Sequence, residues 1–166
     1  MKVLIADIET DGLIASVIHC IGIKDIERDT NNIYADHPGY PPISEALEEF
    51  QEADRIVFHN GLAFDAPTIL RLYGDSALDP RKVFDTLVAS RLLSVEKQSH
   101  SLAALGQELG HPKTEFSDWS QFSEQMATYC QNDIEVLHQI YDTLKGCEFT
   151  QALDMEHRFQ WVMGLQ

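Results

Sequence analysis

The stretch "KVLIADIETDGL", residues 2–13, decides the fold. Its apolar run is continuous rather than alternating, the pattern of a strand covered on both faces. It then runs into two acids, Asp7 and Glu9, one residue apart. Residues two apart in a strand share a face, so both carboxylates project on the side that carries Val3 and Ile5. Neighbouring carboxylates repel, and burial raises the cost. A frayed strand end in water would relieve the repulsion, and so would a bound cation.

Working outward, "ASVIHCIGIKDI" predicts a second strand and "NNIYADH" a short third, and residues 37–42, "HPGYPP", have turn chemistry. "ISEALEEFQEAD" predicts a helix, with Ser44 placed to cap it and Ile43, Leu47 and Phe50 on one face. "RIVFHN" predicts a buried strand. "DAPTILRLYG" predicts a helix capped by Asp65, with Pro67 in its first turn and Gly74 at its end. "VFDTLVASRLL" predicts a strand end and a helix capped by Asp85. "SLAALGQELGHP" predicts a helix closed by Gly110 and Pro112. A long helix is expected from about residue 121 to 145. Hairpin strands followed by a strand–helix crossover imply an α/β fold, a mixed sheet with helices packed on it.

The chain has 166 residues, enough for one domain with a full core. No apolar run approaches the ~20 residues of a membrane span, and the N-terminus reads as a first strand rather than a signal peptide. Cys20, Cys130 and Cys147 lack C-x-x-C spacing and are expected to be buried thiols in a reducing cytoplasm. Without paired His and Cys spacing, a structural zinc site is not expected. The net charge is −15, with 27 Asp and Glu against 12 Lys and Arg. That argues against a simple nucleic-acid binder, whose affinity rests on cations at phosphates.

Two more acids stand out. The long helix has an expected apolar stripe through Met126, Cys130, Leu137, Ile140 and Leu144, with Val136 beside it. Asp133 falls within that stripe, and Tyr129 lies one turn before it. An acid facing a core needs a partner or a metal. In "VFHNGLAFDAP", Asp65 follows a strand and a glycine turn, where a helix cap is the ordinary reading and His59 is an ordinary strand-end residue.

Together, Asp7-Ile8-Glu9, Asn60 through Phe64-Asp65, and Tyr129 through Asp133 resemble, in order and spacing, the three motifs of the DEDD 3′-to-5′ exonucleases. That family has a ribonuclease-H-like fold. Tyr129 stands four residues before the last Asp, as in the tyrosine branch, which includes the proofreading domains of family A DNA polymerases and the ribonuclease D group. "FDTLVASRLL", "HSLAALGQELG" and "FSDWSQFSEQMATYCQNDIEV" are similar to the proofreading domain of bacteriophage family A polymerases. "ALDMEHRFQWVMGLQ" is similar to the segment leading from it to the polymerase domain. Residues 1–148 would then be the exonuclease domain and 149–166 a connecting tail.

The resemblance implies two divalent ions, Mg2+ or Mn2+, held by Asp7, Glu9, Asp65 and Asp133. Asp7 would touch both, Glu9 and Asp133 would complete the ion that activates water, and Asp65 would hold the second. Tyr129 would orient the attacking water. Thr10 and Leu13 would contact the terminal nucleotide, with Leu13 either a wedge or a buried turn leucine. Asn60 and Phe64 stand at substrate-binding positions, though shaping the turn and packing the helix is the simpler role for both. Asp85 is expected to be structural, and Trp119 to pack in the core or line the substrate channel.

The implied function is hydrolysis at a single-stranded DNA 3′ end, releasing nucleoside 5′-monophosphates, with a polymerase domain or subunit as partner in a bacterial or phage-infected cytoplasm. Two bound divalent ions would offset four charges and leave the chain strongly acidic, so weak intrinsic affinity for nucleic acid is expected. An exoribonuclease and a non-catalytic docking domain of the same fold are the alternatives; a calcium protein ranks lower, since EF-hand spacing is absent.

Overall fold

A computed structural model describes residues 1–111, 115–146 and 150–164. Five strands form one sheet: β1 (Val3–Thr10), β2 (Ile18–Asp25), β3 (Thr30–Tyr34), β4 (Arg55–Phe58) and β5 (Val83–Asp85), in the order β3-β2-β1-β4-β5. The three N-terminal strands are antiparallel, and β4 and β5 run parallel to β1. The sheet is therefore mixed, as the sequence implies. β1 is central, which explains its continuous apolar run: Leu4, Ala6 and Ile8 feed one core, and Val3 and Ile5 the other.

The first core is covered by α1 (Ile43–Glu52) and α2 (Asp65–Tyr73). The second is covered by α3 (Thr86–Leu93) and α5 (Glu124–Leu144), with α4 (Leu102–Glu108) at the edge. The last helix, α6 (Thr150–Gly164), packs on α3 through the buried Leu153, and Trp161 reaches the first core. No helix among the described residues is long and apolar enough to cross a membrane.

Several local expectations hold. Asp85 caps α3. Gly74 and Gly110 end α2 and α4 at positive φ, where glycine is unstrained. Pro112 and Cys147 lie outside the described residues. Others need correction. Ser44 does not cap α1: the cap position is Pro42, and Asp36 Oδ1 accepts from Ile43 N–H instead, a contact seven residues away that cap spacing does not show. Asp65 is the first residue of α2 rather than its cap. The centre of the α5 stripe is Ile134, fully buried, while Asp133 lies half-buried at its edge.

Candidate active site

Asp7 and Glu9 lie on the α5 side of β1, near its C-terminal end. The parallel pairing of β1 with β4 is recorded only as far as Ile5 and Val57. Beyond it the Ile8 amide lies against the carboxylates of both Asp7 and Asp65. Across the antiparallel pairing, Asp7 faces Gly22 and Glu9 faces Cys20. A Cβ at Gly22 would sit 2.1 Å from Ile134 Cδ1 and 2.8 Å from Cys130 Sγ. The missing side chain at 22 thus lets α5 settle onto the sheet beside Asp7, and that approach brings Tyr129 and Asp133 to the two acids.

Asp65 arrives by another route. Asn60 sits at φ 64, in the left-handed region that Asn tolerates better than most residues. The turn it makes is held by Asp85, which is fully buried. Asp85 accepts from the N–H groups of Asn60 (2.9 Å), Leu62 (3.0 Å), Leu87 (2.9 Å) and Val88 (3.4 Å). One carboxylate therefore caps α3 and locks the turn that delivers Asp65. His59 braces the same corner through Thr86 Oγ1 at 2.9 Å. From behind, Nε2 of His157 on α6 accepts from Asp85 N–H at 3.1 Å.

These acids act on one another electrostatically. Burial raises the Asp7 carboxyl to about 8, and the charge of Asp133 adds to it. Burial raises Glu9 to about 11, with Asp7, Cys20 and Asp133 contributing. Asp65 is raised well above the usual range by burial, then by Asp7 and Asp85. Tyr129 is raised by burial and then by Asp133, Glu9 and Asp7, and its hydroxyl bonds with Asp133. Asp7 is the group common to all these influences: its charge acts on Glu9, Asp65 and Tyr129, and it feels that of Asp133.

Asp7, Glu9 and Asp65 make no ion pair with any described residue. Glu9 is only 5% exposed, and its Oε1 has no hydrogen-bond partner. Oxygen donors from carboxylates suit hard divalent ions, so the residues present fit Mg2+ or Mn2+. The site is distinct from a cavity of about 750 Å3 between α6 and the sheet edge, lined by Arg55, Phe84, His157, Arg158 and Trp161; none of the four acids lines it.

The remaining expected residues divide. Thr10 is buried, and its hydroxyl donates to the Gly12 carbonyl at 3.0 Å, shaping the turn. Leu13 is 91% exposed, beside Ile14 at 94%, so it is not a buried turn leucine. Phe64, at the cap position of α2, packs partly buried on the first core. Trp119 is half-buried and packs edge-on against Tyr129, 5.6 Å between ring centroids, with Phe116 against both. His19 holds this aromatic segment through the Trp119 carbonyl at 3.0 Å.

Residues 1–146 match a family model described as 3′-5′ exonuclease. The chain belongs to the 3′-5′ exonuclease family. Among curated members, the DNA-directed DNA polymerases of Enterobacteria phage T3 and Escherichia phage T7 are each 27% identical to it. Both alignments cover 98% of this chain and 32% of the polymerase, so the chain spans about a third of these relatives' length. Among solved structures, Brucella melitensis NrnC superimposes with a TM-score of 0.74 at 22% identity, over 98% of this chain and 83% of NrnC. Escherichia coli RNase D, an exoribonuclease, superimposes with a TM-score of 0.73 at 16% identity, over 99% of this chain and 45% of its own. NrnC has been seen with bound Mg2+ and with pGG. The architecture is thus that of the RNase D and NrnC exonucleases, a ribonuclease-H-like α/β fold.

Three features of the site escaped the sequence reading. Gly22 has no local signal, because its role depends on a helix more than a hundred residues away. Cys130 was legible only as a core residue, and Asp85 only as a cap.

Proposed function

We propose that this chain is a metal-dependent 3′-5′ exonuclease acting on single-stranded DNA 3′ ends, with proofreading beside a polymerase domain or subunit as its role. The observation that carries the reading is the convergence of Asp7, Glu9, Asp65 and Asp133 around Asp7, with no cation to neutralise three of them and with Glu9 Oε1 buried and unsatisfied. Buried acids without a compensating partner are costly to fold unless they bind ions.

Two divalent ions, when bound, would lower the pKa of water and stabilise the charge that builds on the scissile phosphate. The chain's own residues then divide the work. Asp7 would share both ions; Glu9 and Asp133 would complete one, and Asp65 would hold the other. Tyr129 stays neutral, because burial and the surrounding acids hold its hydroxyl protonated. It can therefore donate to or accept from the attacking water and orient it without carrying charge. The phenyl ring is fixed by Trp119 and Phe116, so the hydroxyl has little freedom to wander. Exposed Leu13 is placed to wedge against the terminal base, Thr10 to hold the turn presenting it, and Asn60 and Phe64 to line the approach from the α2 side. Residues 149–166 are read as the connection toward a polymerase module, and the infected host's cytoplasm as the setting.

The test is hydrolysis of 3′-labelled single-stranded DNA with Mg2+, Mn2+ or chelator. Release of 5′-mononucleotides from the 3′ end with either metal, and none with chelator, is expected. Metal-independent release, or none at all, overturns the reading. The likeness to RNase D favours RNA as the second reading. Rates on matched DNA and RNA strands separate the two, with faster DNA cleavage expected.

A further inference from the structure

Below the two acids of β1 lies a group that the hydrolytic reading does not use. Cys130, fully buried on α5, donates its thiol to the Asp7 carbonyl oxygen at 3.8 Å. Ligand atoms of Asp7, Glu9 and Cys130 all lie within 4.8 Å of one another. Cys20, which faces Glu9 across the pairing of β1 and β2, is buried in the same core cluster as Cys130. The second observation is Glu9 Oε1, buried and without a partner in the same spot. Two hard oxygen donors and one soft sulfur therefore converge where a purely magnesium-binding pocket would need only oxygen.

We propose that Asp7, Glu9 and Cys130 form a thiophilic cation site, which takes a zinc- or cadmium-class ion in competition with magnesium. The inference rests on the reading of Asp7 and Glu9 as ion ligands. Binding is a substitution without redox change: the Cys130 S–H bond breaks, its proton goes to solvent, and a sulfur–metal bond forms. A zinc-class ion would draw sulfur to about 2.3 Å and oxygen to about 2.0–2.2 Å, a contraction that rotamer shifts of Glu9 and Cys130 can supply. Magnesium gains nothing from sulfur, so the thiol biases the site toward softer ions. An ion held this way occupies Asp7 and Glu9 and blocks the hard-ion arrangement, so zinc-class ions would act as inhibitors.

The test follows the sulfur-to-cadmium charge-transfer absorption as Cd2+ is added to the metal-free full chain carrying Cys147→Ala, so that only Cys20 and Cys130 report. A band saturating at one equivalent is expected. It should vanish in Cys130→Ala, with Cd2+ affinity down about tenfold or more, and remain in Cys20→Ala. The 113Cd chemical shift of the otherwise unmutated chain gives the same answer if Cys130→Ala does not fold: a sulfur-ligated shift supports the site, an all-oxygen shift overturns it. No band, or a band that survives Cys130→Ala, also overturns it. Mg2+-dependent hydrolysis is measured alongside. Hydrolysis without a sulfur signal sinks this inference and leaves the exonuclease reading standing, whereas a sulfur signal without hydrolysis does the reverse.

Discussion

Asp7 and Glu9 store unfavourable energy in the metal-free protein, and pH should expose it. Burial first, and then neighbouring charge, lifts both folded-state values above those of the unfolded chain. The native state therefore binds more protons, and stability falls as pH rises between the unfolded value near 4 and the folded value. His59 and His157 work in the opposite direction, because burial lowers both; their contribution is lost as pH falls below about 6.5. Above about pH 7 the histidines no longer contribute, and the fall in stability comes from the raised carboxyls, Asp7 up to about 8 and Glu9 up to about 11. Metal-free protein should lose thermal stability from about pH 7 to 8.5, Asp7→Asn should make the slope shallower, and saturating Mg2+ should remove it; calorimetric midpoints give the readout, about 2–4 °C per kcal/mol for a chain of this size. Asp7→Ala should abolish Mg2+-dependent hydrolysis while far-UV circular dichroism stays unchanged. Tyr129→Phe removes only the hydroxyl and keeps the ring between Trp119 and Phe116. It should lower kcat about 100-fold and leave Mg2+ binding, measured by calorimetry, within about twofold.

The elements carry the site through two contacts that are invisible locally. Gly22→Ala puts a methyl into Ile134 and Cys130, so α5 must lift from the sheet. Overpacking of this kind costs about 1–3 kcal/mol, and lifting α5 also withdraws Asp133 and Tyr129. Denaturant melts should report the first effect, and a loss of kcat beyond the stability effect the second. Asp85→Ala orphans the amides of Asn60, Leu62 and Leu87 at once, a loss of cap and buried partners worth about 2–4 kcal/mol. These two positions also show how far the sequence could be read. The run of β1, the cap at Asp85 and the stops at Gly74 and Gly110 are local patterns, and each formed where its pattern lies. Asp133 departs from the expected stripe because a stripe through Cys130 and Leu137 leaves either Asp133 or Ile134 facing inward. Ile134 wins because burying it costs nothing, and Asp133 is rotated to the edge, where it can meet Asp7, Glu9 and Tyr129. The Ser44 cap failed for a related reason: Asp36, distant in sequence, had already satisfied the first amide of α1.

For the whole molecule, the question is how so acidic a chain holds a phosphate strand. Most of its described cations are already engaged. Lys2, Lys24, Arg28, Arg81, Lys97 and Lys145 pair with carboxylates, and Arg71 and Lys82 bond backbone carbonyls. Arg55 bonds the Tyr141 hydroxyl and covers the Phe84 ring. Among the described residues, Arg91 and Arg158 make neither a hydrogen bond nor an ion pair. Arg158 lines the cavity under α6, away from the acids, whereas Arg91 shares a groove with His59, Asn60 and His100, next to the turn that positions Asp65. Affinity for a strand should therefore rest on the ions and one or two phosphate contacts. With Z of about 1–2 and a slope of about −0.7Z for single strands, log K against log salt should fall with a slope no steeper than about −1.5, measured with Ca2+ in place of Mg2+ to prevent turnover. Arg91→Ala should reduce that slope by about 0.7, while Arg158→Ala leaves it unchanged. A steep slope that neither substitution moves would mean that the strand is held by a surface other than the groove beside Asn60.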